Sequence, residues 1–295
     1  MKRTTAIVLS QDNIAADIFS MRLGCRVVAE EAKSGQFLSL YCRDASRLLP
    51  RPISICDVDR ERGILRLVYR RAGAGTEEFS HLLPGDAIDV LGPLGNGYPL
   101  RSAAGKCVWL MGGGIGIPPL VYLAKELSAA LIPESAGSDG METESETPES
   151  AGQKSGESGR KNKESMAPRS IHVVLGYKDV LFLDRDLEAI PGVHVHIATE
   201  DGSSGAKGTV FDALPEEEAD VIYACGPTPM LRAVRDYALR REILCWLSLE
   251  QRMACGVGAC LACVCESAET DAHSNVRNKR ICAEGPVFEA RDIVL

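Results

Sequence analysis

The sequence has little of what a nucleic-acid-binding or membrane-bound protein needs. Its 33 lysines and arginines are outnumbered by 41 acidic residues, which gives a formal net charge of -8. Surfaces for nucleic acid or for anionic membranes need clustered basic residues, so neither partner is expected. The apolar stretch after Lys2 and Arg3 is broken at residues 10–13, and no apolar run approaches membrane-spanning length. We therefore expect a cytoplasmic protein whose partners are small molecules or another protein.

Cysteine, by contrast, is abundant and unevenly distributed. The 295 residues include 11 cysteines, and five of these fall between Cys255 and Cys282. In a chain without an export signal thiols stay reduced, so clustered cysteines indicate metal or redox ligands before disulfides. The other six are isolated, and we expect them to be small buried hydrophobic residues: Cys25, Cys42, Cys56, Cys107, Cys225 and Cys245.

The pattern of apolar residues divides the chain into three parts. Residues 1–101 contain short alternating segments, such as 64–70, separated by Gly and Pro turns, which indicates a small antiparallel barrel or sandwich. Residues 102–249 alternate buried strands with helices, the pattern of a parallel sheet. The predicted strands are 107–111, 171–175, 193–199, 221–225 and 245–249, and the predicted helices are 118–131 and 230–241. Residues 250–295 form a small appendage.

Residues 133–169 interrupt the second part. They are rich in Ser, Gly, Glu and Lys and contain hardly any apolar residue, so they cannot bury enough surface to offset the entropy of ordering. We predict a disordered surface insertion in a loop, which costs little because loop-closure entropy grows slowly with length.

The clustered cysteines have the spacing of a plant-type ferredoxin. Cys255, Cys260 and Cys263 form C-x4-C-x2-C, and Cys282 follows at a distance. The intervening glycines and alanines allow the backbone to wrap closely around bridging sulfides. A structural zinc site usually pairs two C-x2-C hooks, and only one occurs here, so the spacing favours a 2Fe-2S cluster over zinc. Cys265 is a spare thiol outside the predicted ligand set.

A glycine-rich loop joins the first strand of the second part to a helix. It contains Gly112, Gly113, Gly114 and Gly116, and it would let a pyrophosphate approach the helix N-terminus closely. Ile117 stands where the dinucleotide fingerprint G-x-G-x-x-G needs its last glycine, so an ordinary tight turn is an alternative interpretation of this loop.

Three motifs in one order resemble the ferredoxin-NADP reductase superfamily. They are Arg51-Pro52-Ile53-Ser54, the glycine-rich loop, and the segment Cys225-Gly226-Pro227-Thr228-Pro229-Met230. The resemblance implies that Arg51 meets the FAD pyrophosphate as a charged fork and that Ser54 bonds near the isoalloxazine ring, with Pro52 and Ile53 beside them. It also implies a second FAD segment, formed by Val68, Tyr69, Arg70, Gly75 and Thr76.

The same resemblance implies where a nicotinamide dinucleotide binds. It places NAD across Gly112, Gly113, Gly114 and Gly116 and the loop of Cys225, Gly226 and Pro227, with Cys225 near the point of hydride transfer. Glu200 and Asp201 put negative charge where a 2'-phosphate would otherwise sit, which favours NAD over NADP.

Residues 250–295 are too few for an independent ferredoxin domain, and this restricts the resemblance to superfamily members with a short cluster module. A short module with Cys255, Cys260, Cys263 and Cys282 looks like the electron-transfer subunit of type B, NAD-linked dihydroorotate dehydrogenase. The resemblance implies an FAD-binding β-barrel domain (1–101), an NAD-binding α/β domain (102–249) and a 2Fe-2S module (250–295). It departs mainly at residues 133–169 and at Cys265.

That family resemblance implies a mechanism and a partner. A separate FMN-containing catalytic subunit oxidises dihydroorotate, and electrons then pass through one 2Fe-2S cluster and one FAD to NAD+, in pyrimidine (UMP) biosynthesis. The implied complex is a heterotetramer of two chains of each kind. We predict no catalytic residue in this chain and no oxidation of dihydroorotate by this chain alone.

Two alternatives stay open. The chain could serve another flavin and iron-sulfur assembly, such as a hydrogenase, a sulfite reductase or a ferredoxin:NADP transhydrogenase, because these share the cysteine spacing and the flavin motif. It could also be a regulatory module with structural zinc and a dinucleotide fold that senses redox state. Flavin colour in the purified protein would count against the second alternative.

Overall fold

The computed structural model describes residues 2–131, 167–270 and 275–295. Its first part is a closed antiparallel barrel of six strands in the order β1-β2-β5-β4-β3-β6. The strands are β1 (Lys2–Ala15), β2 (Ile18–Gly24), β3 (Phe37–Leu40), β4 (Arg51–Asp59), β5 (Ile64–Arg70) and β6 (Ala87–Leu94). The barrel, and not the sandwich, is therefore the correct alternative for this part of the chain.

Alternation along the strands explains why the barrel closes. In β5, Leu65 and Leu67 are fully buried and Tyr69 is nearly so, while Arg66 between them faces outwards. Side chains of a strand point alternately to its two faces, so every second residue fills the barrel interior. Two short helices complete this part, α1 (Arg26–Glu31) and α2 (Ala74–Ser80). The sequence pattern did not predict either helix.

The second part is built on a largely parallel sheet of seven strands in the order β10-β9-β8-β7-β11-β12-β15. Its parallel strands are β7 (Cys107–Gly113), β8 (Ser170–Tyr177), β9 (Val193–Thr199), β10 (Ala206–Lys207), β11 (Val221–Cys225) and β12 (Leu244–Ser248). The helices are α3 (Pro118–Ala129), α4 (Asp184–Glu188) and α5 (Thr228–Arg240). The predicted strands and helices are confirmed, with ends that differ by one or two residues.

The register of the parallel strands fixes one edge of the sheet as a site. Gly112 on β7 is the Cα partner of Cys225 on β11, and Cys225 in turn is the partner of Ser248 on β12. Ligands of open α/β sheets bind beyond the carboxyl ends of the strands. The glycine-rich loop, the Cys225 loop and the segment after Ser248 all begin at this edge.

The C-terminal segment is joined to the sheet as well as to its own small sheet. The strands β13 (Val264–Ser267), β14 (Asn278–Arg280) and β16 (Ile293–Val294) pair with one another, whereas β15 (Val287–Glu289) pairs antiparallel with β12. The cysteine-rich segment is thus held against the second part by backbone hydrogen bonds that follow the fourth cysteine.

The predicted insertion lies mostly outside the described residues, which stop at Leu131 and resume at Ala167. Residues 167–169, the last three of the predicted disordered insertion, are instead held in place, because Ala167 and Arg169 form hydrogen bonds with the turn before β7. The amide of Gly105 donates to the carbonyl of Ala167, and the amide of Arg169 donates to that of Lys106, each at 2.8 Å. Among the described residues, no helix is long and apolar enough to cross a membrane.

Candidate functional site

A cavity of about 1100 Å³ opens between the barrel and the parallel sheet. One wall is the barrel, with residues 46–54 and 68–70. The opposite wall is Ile115 of the glycine-rich loop and residues 248–253, which lead directly into Cys255. All three predicted cofactor regions therefore border on, or continue from, one cavity. Its volume is large enough for a dinucleotide-sized ligand.

The predicted flavin strand lines this cavity along its whole length. Arg51, Pro52, Ile53 and Ser54 all face it, and each is partly exposed. The Arg51 guanidinium donates to the Leu49 carbonyl and lies against Gly75. A Cβ atom at position 75 would come within 2.7 Å of Arg51 Cζ, so the absence of a side chain there makes room for the cation.

The second predicted flavin segment is only partly in the cavity wall. Val68, Tyr69 and Arg70 contribute to it, but the Tyr69 ring is 2% exposed and stacks on Phe19 with ring centroids 5.9 Å apart. Burial raises the pKa of Tyr69 to about 12, with the hydrogen bond from Gln11 opposing the rise. Most of the Tyr69 side chain therefore packs in the barrel core.

Thr76 has a local task in the same region. Its hydroxyl accepts hydrogen bonds from the amides of Ala72 and Gly73, at 2.9 and 3.2 Å, and closes the first turn of α2. The cavity-lining residue of this turn is Ala72, whereas Gly75 and Thr76 support the wall.

The two predicted dinucleotide segments lie in direct contact. A Cβ atom at Gly116 would stand 2.5 Å from the Cys225 carbonyl oxygen, and one at Gly113 would stand 3.1 Å from Pro227 Cδ. Gly114 has a φ of +51°, a conformation that glycine adopts without strain. These glycines therefore let the loop after β7 pack against the loop after β11, and α3 begins with Pro118 just beyond.

Cys225 is buried at the base of this junction. Its side chain is 1% exposed, and burial raises the pKa of the Cys225 thiol well above its usual range, with the Glu250 charge adding to the rise. Glu250 borders the cavity, and burial also raises its pKa while the charge of Arg70 opposes that rise. The thiol at this position is therefore neutral.

Sequence reasoning did not single out residues 46–50 or 248–253 as parts of the site. The second group could have been found, since it follows a buried strand directly at the carboxyl edge of the sheet. The first group is a loop between β3 and β4 that carries no motif, and only the closed barrel brings it to the cavity mouth.

Three of the four predicted ligand cysteines, Cys255, Cys263 and Cys282, accept hydrogen bonds from backbone amides at their sulfurs. The amides of Val257 and Ala259 donate to Cys255 Sγ at 3.4 and 3.3 Å, and the Gly258 amide donates to Cys282 Sγ at 3.1 Å. The Cys282 amide in turn donates to Cys263 Sγ at 3.4 Å. Amide hydrogen bonds to sulfur are what tune iron-sulfur clusters.

The loop conformation depends on its glycines. Gly256 and Gly258 have φ values of +69° and +82°, and a Cβ atom at position 258 would stand 2.8 Å from Ala283 Cβ. Cys263 and Cys282 are buried, while Cys260 is exposed at the outer side of the loop. The sulfur group thus has a buried side and a side open to a partner.

The predicted ligand cysteines differ in the pKa of their thiols. Slight burial acts to raise the pKa of Cys255, but hydrogen bonds from Val257, Cys260 and Ala259 outweigh it and lower that pKa to about 6. Burial raises the pKa of Cys282 to about 12, and the adjoining Cys263 thiol adds to the rise. Four cysteines with this spacing, three of them with amide donors at sulfur, fit a 2Fe-2S cluster, whose irons would bind them as thiolates.

Cys265 lies elsewhere. It is on β13 opposite Lys279, and it borders a second cavity of about 380 Å³ together with Gly226, Leu249 and the C-terminal Leu295. Burial raises the pKa of its thiol.

Comparisons with known proteins agree with this geometry. The iron-sulfur cluster binding domain of dihydroorotate dehydrogenase B matches residues 250–294. The dihydroorotate dehydrogenase B (NAD(+)) electron transfer subunits of Bacillus caldolyticus and Enterococcus faecalis are 38% and 37% identical to this chain. These matches span 99% and 100% of this chain and 99% of each relative.

Solved structures show the same architecture. An NADH-dependent reduced ferredoxin-NADP oxidoreductase superposes with a TM-score of 0.75 at 26% identity, over 98% of this chain and 89% of that chain. The cytochrome b5 reductase domain of Ulva prolifera nitrate reductase superposes with a TM-score of 0.56 at 17% identity, over 81% of this chain and 93% of that domain, which bears on the fold alone.

These findings confirm the predicted fold class and the predicted cofactors, FAD, a 2Fe-2S cluster and NAD, and they decide against a regulatory zinc module. They also make the chain one subunit of an oxidoreductase with a separate catalytic partner. The chain belongs to the family of electron transfer subunits of NAD(+)-dependent dihydroorotate dehydrogenase B.

Proposed function

We propose that this chain passes electrons from the FMN of a dihydroorotate-oxidising subunit through its own 2Fe-2S cluster and FAD to NAD+, in cytoplasmic de novo UMP biosynthesis. FAD supplies the exchange between one-electron and two-electron carriers when it is bound. The single observation that carries the proposal is the cavity between barrel and sheet, because its wall includes Arg51, Ser54, Ile115 and residues 248–253, which end two residues before Cys255.

The barrel side of the cavity is proposed to hold FAD. Arg51 offers a planar guanidinium with several donors, a good match for a pyrophosphate, and Gly75 leaves it room. Ser54 offers a hydroxyl deeper along the same strand, beside Pro52 and Ile53. Val68, Tyr69 and Arg70 extend the wall, and Thr76 fixes the turn behind it.

The carboxyl edge of the sheet is proposed to hold NAD. Gly114 is partly exposed just before α3, whose dipole favours a phosphate, and the buried Gly112, Gly113 and Gly116 let the loop after β11 come close to it. Pro118 and Pro119 carry no amide N–H, so the loop before α3, and not its first turn, would supply the donors. Cys225, Gly226 and Pro227 form the neighbouring loop. The neutral Cys225 thiol adds no charge beside the nicotinamide, and it stands next to the Ile115 end of the flavin cavity.

The four cysteines of the C-terminal segment are proposed to ligate the cluster. Cys255, Cys260, Cys263 and Cys282 supply the thiolates, and the amides of Val257, Gly258 and Ala259 stabilise their charge. The link of residues 248–253 places this group beside the flavin cavity. The buried side of the cysteine group therefore faces the protein and its flavin.

The partner is proposed to be an FMN-containing catalytic subunit, in a heterotetramer of two chains of each kind. The outer side of the cysteine loop supports such docking, because Leu261 and Val257 are 59% and 38% exposed beside the exposed Cys260. Large exposed apolar side chains grouped around a redox centre are typical of a protein interface.

The proposal is tested by purifying this chain together with the type B catalytic subunit encoded in the same genome, under anaerobic conditions. We expect one complex whose mass corresponds to two copies of each chain, with FMN only in the catalytic subunit and FAD and iron only in this chain. Leu261→Asp should disrupt the complex while leaving FAD and iron content unchanged. Formation of the same complex by the variant, or FMN bound to this chain, would contradict the proposal.

A further inference from the structure

A second cluster of metal-binding side chains lies at the other end of the parallel sheet. One donor atom from each of Cys107, His172 and Glu217 lies within 4.8 Å of the other two. Cys107 opens β7, and Gly112 lies five positions further along, near the opposite end of the strand. The two ends are thus about 16 Å apart, so this cluster is remote from the flavin and nicotinamide sites.

The sheet and one loop bring the three side chains together. Trp109 on β7 and His172 on β8 are Cα partners, so Cys107, two residues before Trp109, projects from the same face of the sheet. Glu217 comes from the loop before β11, which is fixed to β7 by two hydrogen bonds that each join a side chain to the backbone. The Cys107 amide donates to Asp220 Oδ2 at 2.8 Å, and the Trp109 indole donates to the Glu217 carbonyl at 3.1 Å.

The donors already have distances close to those of a coordination shell. His172 Nε2 and Glu217 Oε2 are 3.1 Å apart, near the edge of a tetrahedron around zinc, about 3.4 Å for bonds of about 2.0–2.1 Å. A thiolate, a neutral imidazole and a carboxylate together carry two negative charges, which balance a divalent cation. Sulfur, nitrogen and oxygen in one set are typical ligands of zinc-type metals and not of calcium or magnesium.

Each proposed ligand also has a partner that would orient it. His172 Nδ1 lies 3.1 Å from His196 Nε2, so the ring can donate its second N–H while Nε2 faces Glu217. The other carboxylate oxygen of Glu217, Oε1, accepts from Arg169 Nε at 3.2 Å. Metal-bound histidines and carboxylates are held by such second hydrogen bonds. If His172 and Glu217 formed only an ion pair, neither His196 nor the buried Cys107 thiol would be needed beside them.

We propose that Cys107, His172 and Glu217 bind one zinc-type divalent cation in a structural site that fixes the loop before β11 to β7 and β8. Cys107 is fully buried, whereas the Glu217 side chain is 40% exposed, so the cation enters from the solvent side past Glu217. A water molecule completes the coordination, as in other sites with three protein ligands.

The test uses the holoprotein with its FAD and cluster in place. Zinc is added, the protein is dialysed against metal-free buffer, and zinc and iron are counted per chain; zinc affinity is then measured by competition with a chromogenic chelator. We expect one zinc in addition to the iron of the cluster. Glu217→Gln and His172→Gln should each weaken zinc affinity by at least about 100-fold, and His196→Ala by about 10-fold.

Matched controls separate this site from general effects. Glu218→Gln changes the neighbouring, 82% exposed carboxylate, and Cys245→Ala removes another buried cysteine of the same sheet. Both should leave zinc affinity unchanged, whereas Cys107→Ala should abolish binding. Zinc should also raise the melting temperature of the native protein but not that of Glu217→Gln.

Zinc K-edge X-ray absorption distinguishes this site from the cluster cysteines. The proposal predicts one sulfur neighbour together with nitrogen and oxygen neighbours. A shell of sulfur alone would place the zinc at Cys255, Cys260, Cys263 and Cys282 and would overturn the proposal. Absence of bound zinc, or zinc affinity that the Glu217 and His172 substitutions leave unchanged, would overturn it as well.

Discussion

At the scale of single residues, the position of Arg51 in the cavity wall depends on the absence of a side chain at Gly75. Gly75 faces the Arg51 guanidinium so closely that a Cβ atom would come within 2.7 Å of Arg51 Cζ. The neighbouring Gly73 has nothing within 4 Å of the same position, and its φ of -175° is open to any residue. Gly75 therefore lies against Arg51 and Gly73 does not, so a substitution at Gly73 is a control for the same substitution at Gly75.

We expect Gly75→Ala to weaken FAD binding by about 10-fold. The new methyl group would displace the guanidinium, and a charge-assisted hydrogen bond is worth about 1.5–3 kcal/mol. Gly73→Ala should bind FAD as the native protein does. The measurement is flavin fluorescence during titration of the apoprotein; equal affinities for the two variants would show that Arg51 does not contact the flavin.

A second prediction concerns Cys225. Burial raises the pKa of this thiol, so the reactive thiolate, which is the form present above the pKa, stays unpopulated at neutral and mildly alkaline pH. Iodoacetamide should leave Cys225 unmodified at both about pH 7 and about pH 9, while the protein unfolded in urea is modified with a normal thiol pKa of about 8.5. Peptide mass spectrometry measures the modification, and labelling that increases with pH in the folded protein would refute the buried neutral thiol.

The residue scale also shows how far sequence reasoning reaches. The local spacing of Cys255, Cys260 and Cys263 is enough to predict a cluster loop, and a motif is enough to predict Arg51 and Ser54 as flavin-binding residues. No comparable signal joins Cys107, His172 and Glu217, which are dispersed over 110 residues and meet only through strand register. Cys107 was accordingly predicted to be a small buried hydrophobic residue.

At the scale of elements, the loop after β6 fastens the cysteine-rich segment to the barrel. The Asn96 side chain donates to the carbonyls of Glu284 and Val287, at 3.0 and 2.9 Å, and accepts from the Val287 amide at 3.1 Å. These bonds reach Glu284, two residues after Cys282, and Val287, the first residue of β15, so they restrain the chain that follows the fourth cysteine.

We therefore expect Asn96→Ala to release iron to a chelator about 5- to 30-fold faster than the native protein. Loss of these bonds costs about 1–2 kcal/mol, and one or two kcal/mol changes a population by about 5- to 30-fold. Asn278→Ala, at an exposed position of the same segment, is the control and should not change the rate. The rate is followed as loss of visible absorbance, and identical rates for both variants would remove Asn96 from this role.

The region between α3 and β8 allows another prediction at this scale. Both of its described ends are held by hydrogen bonds. Ser128 Oγ donates to the Pro191 carbonyl, and the Arg169 amide donates to the Lys106 carbonyl. Deletion of residues 138–165 should therefore leave FAD and iron content per chain unchanged. Cofactor analysis of the purified deletion variant measures this, and loss of either cofactor would mean that the deleted residues support the cofactor sites.

Among the elements, those with strong apolar patterns were predictable and the others were not. Val221–Cys225 has the predicted bounds because it is a buried, continuous apolar run. Val193–Thr199 also has them, although two histidines alternate with its apolar residues and only its last two residues are buried. Helices α1 and α2 span six and seven residues, too short for a clear helical period. The pairing of β15 with β12 was missed because three residues carry no strand signal of their own.

At the scale of the whole molecule, the fold brings the three predicted binding regions to one cavity or next to it. The barrel supplies one wall, the carboxyl edge of the sheet supplies the other, and residues 248–253 connect that edge to the cysteine group. Neither domain forms the cavity alone. Sequence motifs identified the separate regions, whereas their convergence follows from sheet order and from the closed barrel.

The most direct test is to measure dihydroorotate-dependent reduction of NAD+ by the purified complex of this chain with its catalytic subunit, with FAD, iron and sulfide counted per chain. We predict turnover that requires both chains, with Cys260→Ser in this chain reducing NADH formation at least about 100-fold, because loss of a ligand disrupts the cluster. Dihydroorotate oxidation with an artificial dye should continue in the catalytic subunit. A complex that contains all cofactors but forms no NADH from dihydroorotate, or an unimpaired Cys260→Ser variant, would contradict the proposed electron path.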